Sequence, residues 1–211
     1  MFLDLSQCQW ELLGSDASDL PVRVPLTLPG DNASALYAAG IIPDPYAGRN
    51  ESAVQFIGGR KWLFRTEFTL DALPGNPVYL NLDSVDTCAE IRLNGTFLGR
   101  SDNMFARFRA WTGDLLKAGT NSLEIEFESV TAEANRRAER SCESLGQNDN
   151  NAIPNLQFLR KIQSSGGWDW GICLPVCGLY DSLYLAEAPA RIEHLTTSQS
   201  FEGPDAVLSV Q

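Results

Sequence analysis

The stretch Leu123–Glu128, which reads LEIEFE, alternates an apolar residue with a carboxylate over six positions. Successive side chains of a β-strand point to opposite faces, so this alternation predicts a strand with one buried and one solvated face. Two further stretches repeat the period, Phe64–Leu70 (FRTEFTL) and Val78–Leu82 (VYLNL). The core is therefore predicted to be built on amphipathic strands.

Turn residues separate the predicted strands. Asn94-Gly95 is the dipeptide best suited to a two-residue hairpin turn, and the stretch 119–121 (GTN) forms another turn. Pro25 interrupts an alternating run, which predicts an edge strand because proline has no amide to donate. Eight or more short strands without a strand–helix–strand rhythm predict an all-β fold, an antiparallel β-sandwich of the jelly-roll type.

One or two short surface helices are expected to accompany the sandwich. Asp31 is suited to cap the first, and Gly40 is suited to end it. The second is predicted beyond Ser129, where small and apolar residues recur at helical spacing from Ala134 to Leu145. Residues 41–59 between them are loop-like, and such a loop either connects strands at the surface, or shapes a ligand site or contacts a partner domain.

Pro189 marks the predicted end of the sandwich domain, which then spans residues 1–188. Residues 191–195 and 206–210 read as strands of a following immunoglobulin-like β-sandwich. Residues 189–211 are thus predicted to begin a second domain that the chain does not complete.

The composition is that of a globular protein, with 211 residues of which 44% are hydrophobic and 20% charged. The formal net charge of −11 argues against a nucleic-acid partner, because phosphates require a basic surface. No run of 18 apolar residues is present, so no membrane partner is expected. Residues 1–6 lack the basic and apolar regions of a secretory signal, which predicts a cytoplasmic protein.

An odd number of cysteines without a paired spacing predicts reduced thiols. They are Cys8, Cys88, Cys142, Cys173 and Cys177. The last two, together with the single histidine His194, could be considered as metal ligands. Pro175 and Gly178 make their segment a turn, and no second cysteine pair accompanies it. No metal and no cofactor are therefore expected.

Three charged residues are given no catalytic or sugar-binding role. The basic pair Arg160-Lys161 is expected to be solvated or to contact another domain. Asp86 is expected to be a turn residue rather than a catalyst.

The most unusual stretch is 166–171, GGWDWG. Glycines bracket two indoles and one carboxylate, as in a tight turn that presents an acid between aromatic faces. Carbohydrate sites combine an aromatic face that stacks on a sugar with a carboxylate that accepts hydrogen bonds from hydroxyls. Alternatively, Trp168 and Trp170 are core residues and Asp169 caps a backbone amide.

This stretch, with several others in the same order, resembles the amino-terminal domain of β-mannosidases of glycoside hydrolase family 2. The other matching stretches are IPDPY (42–46), RNE (49–51), WLFRTEF (62–68), LNG (93–95), NMF (103–105) and GTNSL (119–123). The resemblance spans Trp10 to Leu185, and the DPY and WDWG stretches point to the mannosidase branch.

The resemblance implies a galactose-binding-domain-like jelly roll that packs beside a catalytic (β/α)₈ barrel absent from this chain. It further implies that Trp168, Asp169 and Trp170 bind the terminal mannose, with Asp169 accepting hydrogen bonds from its hydroxyls. Family chemistry is a retaining double displacement by two glutamates of the barrel. No catalytic residue is therefore assigned here, and the chain alone is expected to be inactive.

Two alternatives stay open. The chain could be an autonomous carbohydrate-binding module or lectin, although its unfinished strands after Pro189 argue against this. It could also be the corresponding domain of a β-galactosidase or β-glucuronidase.

Overall fold

The amphipathic strands bury their apolar faces between two antiparallel sheets in the computed structural model, which describes residues 1–14, 22–146, 152–167, 171–192 and 194–211. In chain order the described strands are β1 (Phe2–Asp4), β2 (Trp10–Gly14), β3 (Arg23–Leu26), β4 (Gly30–Asp31), β5 (Trp62–Leu70), β6 (Val78–Asp86), β7 (Ala89–Leu93), β8 (Thr96–Ser101), β9 (Phe108–Trp111), β10 (Gly119–Phe127), β11 (Gly178–Glu187), β12 (Thr197–Glu202) and β13 (Asp205–Val210). The described α-helices are α1 (Asn32–Ala38), α2 (Asn50–Ala53) and α3 (Val130–Arg140).

One sheet has the order β1-β11-β6-β9, with β4 also paired to β11. The other has the order β3-β2-β5-β10-β7-β8, so β3, which carries Pro25, lies at an edge as predicted. The predicted all-β antiparallel sandwich is confirmed. Its core includes Phe64 and Phe127, whose ring centroids lie 4.8 Å apart at an interplanar angle of 61°.

The predicted hairpin between β7 and β8 is also confirmed. Asn94 and Gly95 have φ values of 52° and 78°, the left-handed conformations that a two-residue hairpin turn requires. The Asn94 side chain accepts a hydrogen bond from the Ser122 amide at 2.9 Å and donates one to the Leu115 carbonyl at 2.7 Å. The turn is thereby tied to the neighbouring strand β10.

The helices differ partly from the expectation. Asp31 caps α1 through the amide of Ser34 at 2.8 Å, as predicted. Helix α3 ends at Arg140, short of the predicted Leu145, because its buried side chains lie in its first two turns. Helix α2 was not predicted, since its four polar and small residues carry no periodic signal.

A second apolar cluster lies under α3. It contains Val130, Ala134, Ile153, Leu156, Leu159 and Cys173. This cluster connects α3 to residues 153–159 and to Cys173, which precede β11 in the chain.

Strands β12 and β13 form a separate two-stranded sheet in which every residue is exposed. The prediction of a strand at residues 191–195 was wrong for the described residues among them, because the first strand after Pro189 begins at Thr197. Arg191 instead lies over the ring of Tyr79, at 4.0 Å from its centroid. The assignment of residues 189–211 to a following domain stays a prediction.

Candidate functional site

A cleft of about 740 Å³ opens beside strands β6 and β11. We call it the β6–β11 cleft. Its described lining residues come from β6 (Ser84, Asp86), β11 (Tyr180, Asp181), α1 and its cap (Asp31, Ala33, Ser34, Tyr37), the loops 44–46 and 104–105, and the segments 161–165 and 172–176.

The floor of the cleft contains a buried ion pair. The side chains of Lys161 and Asp86 are 1% and 3% exposed, and the Lys161 ammonium donates a hydrogen bond to the Asp86 carboxylate. It also donates one to the Val176 carbonyl at 2.9 Å. The second Asp86 oxygen accepts a hydrogen bond from the Thr87 hydroxyl.

The expectation that Lys161 is solvated was wrong, whereas Arg160 is exposed. Asp86 ends a strand rather than forming a turn.

A β-bulge shapes the wall formed by β11. Tyr180 pairs with Ser84 and Leu183 with Leu82, so Asp181 and Ser182 stand opposite a single residue of β6. Asp181 adopts a φ of 63°, a conformation that aspartate tolerates better than most residues. Bulges of this kind redirect side chains next to functional sites. Here Asp181 lines the cleft.

Two titratable groups have raised pKa values, Tyr180 in the lining of the cleft and Cys177 in the main core. Burial, and then the carboxylates of Asp31 and Asp86, raise the pKa of the Tyr180 hydroxyl well above its usual value. Complete burial likewise raises the pKa of the Cys177 thiol. Neither group supplies an anionic nucleophile at neutral pH, but the Tyr180 hydroxyl can donate a hydrogen bond.

The rim presents aromatic rings and carboxylates. Tyr46 is 76% exposed and Phe105 is 67% exposed, although both line the cleft. One oxygen of Asp44 accepts a hydrogen bond from the Tyr46 amide at 2.9 Å. Of the described lining residues, Lys161 is the one with a cationic side chain, and it is already paired. The cleft therefore favours a neutral or cationic ligand that has hydroxyl or amine donors and an apolar face.

The predicted sugar-binding residues Trp168, Asp169 and Trp170 lie outside the described residues. The chain on either side of them is described. Gly166 pairs with Cys173 in an antiparallel bridge, and the Leu174 amide donates to the Ser165 carbonyl at 2.9 Å.

We call residues 165–167 and 171–174, which contain these two pairings, the neck of the turn. Gly167 and Gly171 have φ values of 104° and 146°, which glycine adopts readily. The two bracketing glycines thus have backbone conformations that favour glycine, and the tight turn between them stays a prediction. Both sides of the neck, through Ser165, Ile172 and Leu174, line the β6–β11 cleft.

The two cysteines considered as metal ligands lie apart. Cys173 belongs to the cluster under α3 and Cys177 to the main core. Burial, with a contribution from Glu51, raises the pKa of Cys173 to about 11. Across the described parts of the chain, no group of three or more potential ligands could hold a metal ion. None of the described helices is long and apolar enough to span a membrane.

Sequence reasoning missed several residues of the cleft. Asp44 and Tyr46 were noticed within the IPDPY stretch, but no role was given to either. Lys161 and Asp86 are 75 residues apart, so no local signal connects them. Asp181 could have been suspected from its position, because a lone charged residue interrupts the alternation of β11.

Comparison with known proteins relates this geometry to a family. A family described as "Glycosyl hydrolase 2 galactose-binding domain-like" matches residues 10–181. The chain belongs to this family. The match covers all the strands from β2 to β10, both sides of the neck and the bulge at Asp181.

Curated relatives of this family member include β-mannosidases. A β-mannosidase B of Thermothelomyces thermophilus is 33% identical over 193 residues, which cover 88% of this chain and 22% of the relative. A β-mannosidase of Rattus norvegicus is 31% identical over 201 residues, covering 89% of this chain and 22% of the relative. The chain thus spans about a fifth of the length of these relatives.

A solved structure with the same fold is that of a β-D-mannosidase from Dictyoglomus thermophilum. It superposes with a TM-score of 0.84 at 30% identity, covering all of this chain and 25% of that one. The predicted resemblance to the amino-terminal domain of family 2 β-mannosidases is confirmed.

Proposed function

We propose that this chain is a non-catalytic domain that helps to form the terminal-mannose pocket of a β-mannosidase. The whole protein would hydrolyse terminal, non-reducing β-D-mannose residues with retention of configuration. The chain's partners would then be the β-mannoside and a catalytic barrel of the same polypeptide. The names of the relatives support the choice of sugar, since both curated relatives and the solved structure are β-mannosidases.

One observation carries the proposal. The β6–β11 cleft is bordered by both sides of the neck that leads into Trp168, Asp169 and Trp170. Its exposed rings and carboxylates are the groups that bind sugars, since ring faces stack on the apolar side of a pyranose and carboxylates accept hydroxyl hydrogen bonds. We propose that Asp169 grips the sugar hydroxyls and that the two indoles flank them.

We propose that the described cleft residues bind the ligand and that the catalytic groups lie elsewhere in the whole protein. Retaining glycosidases need two carboxyl groups about 5–5.5 Å apart, one as nucleophile and one as acid. The Asp86 carboxylate is paired with the Lys161 ammonium, and the Tyr180 hydroxyl stays protonated because its pKa is raised. The two glutamates would be supplied by the barrel, and the purified 211-residue chain is expected to release no aryl alcohol from aryl β-mannosides.

Two further proposals accompany this one. The protein would work in the cytoplasm, which its five free thiols support because disulfides form in oxidising compartments. Residues 189–211 would begin a second β-sandwich, because an isolated two-stranded sheet is marginally stable in water.

The test is an assay of the full-length protein that contains this chain, using chromogenic β-mannoside, β-galactoside, β-glucuronide and β-glucosaminide substrates. The expected result is a kcat/KM for the β-mannoside that exceeds the others by at least a hundredfold. Preference for a galactoside or glucuronide would overturn the choice of sugar, although the family would stand.

A second candidate function is an autonomous carbohydrate-binding module, which the highly exposed ring of Tyr46 on the cleft rim favours. Titration of the isolated chain with mannose, followed by NMR shifts of the cleft amides, separates the two. Saturable binding at millimolar or lower concentration would favour the module. A chain that binds mannose only as part of the full-length enzyme is the result expected of a pocket shared with a barrel.

A further inference from the structure

The neck of the turn is held by backbone and side-chain contacts. Within the neck itself, Gly166 pairs with Cys173, and the Leu174 amide donates to the Ser165 carbonyl. Beyond the neck, Lys161 lies before the turn and Val176 after it, and the Lys161 ammonium bonds the Val176 carbonyl at 2.9 Å. Lys161 is therefore a side-chain bridge between the two chain segments that carry the turn.

Asp86 connects this bridge to the sheet. It is the last residue of β6 and pairs with Gly178 at the start of β11. Both of its carboxylate oxygens are engaged, one by Lys161 and the other by Thr87. The position of the ammonium is thus set by the end of a strand that is paired there with β11, while β9 pairs with the other end of β6.

Stability alone is a poor explanation for this ion pair. Removing two charges from water costs several kcal/mol for each ion, and apolar residues of similar size often serve as well or better. A charged hydrogen-bonded bridge fixes the distance and angle between the groups it joins. An apolar contact between two residues imposes no such angle. The pair's geometry links the chain segments on both sides of the turn to the sheet.

Direct contact of Lys161 with a sugar is disfavoured by the same geometry. Its side chain is 1% exposed, and two of its three ammonium protons are bound to protein acceptors. Any effect on ligand binding would have to pass through the neck.

We propose that Lys161 and Asp86 are positioning residues that hold the neck at a fixed place against the sheet. The inference rests on the proposed function for its link to sugar binding. The link to the neck rests on the contacts above and can be tested without any sugar.

The first experiment uses the 211-residue chain and measures amide hydrogen exchange. The variant Lys161→Met/Asp86→Leu removes both charges while keeping similar volumes. We expect the Leu174 amide to exchange at least tenfold faster than in the unmodified chain, with the Ile125 amide of β10 changed less than twofold. Equal acceleration at both amides, or at neither, would overturn the positioning role.

A matched control makes the same chemical change elsewhere. Lys61 and Glu128 form an ion pair at 2.8 Å whose side chains are 44% and 41% exposed, and neither residue lines the cleft. Lys61→Met/Glu128→Leu is expected to leave Leu174 exchange within twofold of the unmodified value. A tenfold change in this control would show that the effect is not specific to the buried pair.

The second experiment uses the full-length enzyme and a double-mutant cycle with Asp169→Ala. If the pair acts through the residues of the turn, Lys161→Met/Asp86→Leu in an otherwise unmodified enzyme lowers kcat/KM for an aryl β-mannoside at least tenfold. Added to Asp169→Ala, it lowers kcat/KM less than threefold further. Full additivity of the two losses would overturn the inference.

The failures of the two proposals are distinguishable. A wild-type enzyme without β-mannosidase activity, or an Asp169→Ala variant with normal kcat/KM, would contradict the proposed function, while the exchange experiment would still decide the positioning role.

If the apolar double variant does not fold, Asp86→Glu keeps both charges and displaces the ammonium by one methylene. Leu174 exchange unchanged in Asp86→Glu would then contradict the inference, and a selective increase would support it.

Discussion

Phe127 offers a direct test of the two-sheet core. Its side chain is fully buried at the end of β10, and its ring contacts that of Phe64 edge-on. An aromatic side chain buries about 150–250 Å², which at about 25 cal/mol per Å² corresponds to about 4–6 kcal/mol as an upper bound. Truncation of a buried phenylalanine to alanine costs about 3–5 kcal/mol, because it leaves a cavity that relaxes only in part.

Phe127→Ala is therefore expected to lower the free energy of unfolding by about 3–5 kcal/mol. For a domain of this size, each kcal/mol corresponds to about 2–4 °C, so Tm should fall by about 6–20 °C. Calorimetry and urea unfolding measure both quantities. The matched control is Phe201→Ala in β12, where the side chain is 72% exposed and the change should stay within about 0.5 kcal/mol. A Tm for Phe127→Ala no lower than that of the control would refute the packing of the two sheets described above.

Other consequences concern α3 and the terminal hairpin. Burial raises the pKa of Glu133, but hydrogen bonds from Arg136 and Arg137 outweigh burial and hold it below its usual range. The carboxylate then stabilises the fold above its unfolded pKa of about 4.3, and this contribution is lost as the pH falls through the lower folded pKa. Glu133→Gln should consequently show a shallower loss of unfolding free energy in acid, whereas the exposed Glu139→Gln should keep the wild-type slope; equal slopes in both would contradict the assignment. Amides of Thr197–Val210 should exchange much faster than those of β10, because that hairpin buries no side chain, and protection equal to that of β10 would mean that it belongs to the main core.

The strands were predictable because their information is local. Alternation in Leu123–Glu128 and Phe64–Leu70 reports burial on one face, and the two-residue Asn94-Gly95 turn fixes a register. The prediction extended helix α3 too far, because the helical spacing of small and apolar residues continues to Leu145. Of the helix residues, only Val130 and Ala134 belong to the apolar cluster under the helix.

The cleft was less predictable because its residues meet only after the sheets pair. Lys161 looks like part of a basic pair in the sequence, and its acid partner comes from a strand 75 residues earlier. Asp181 reaches the cleft through a bulge in the β6–β11 register, which depends on the pairing of two distant strands. By contrast, the glycines around the turn were informative, because glycine adopts a positive φ more readily than residues that carry a Cβ.

The most direct test of the central claim is Asp169→Ala in the full-length enzyme. Charge-assisted hydrogen bonds contribute about 1.5–3 kcal/mol each, so the loss of one should cut kcat/KM for an aryl β-mannoside roughly 10- to 150-fold. Tm should change little, and Asp71→Ala, an exposed aspartate that does not line the cleft, should leave kinetics unaltered. A near-normal kcat/KM with unfolding free energy lowered by about 0.5–2 kcal/mol, the usual loss of a capping side chain, would contradict the account and leave Asp169 as a structural residue.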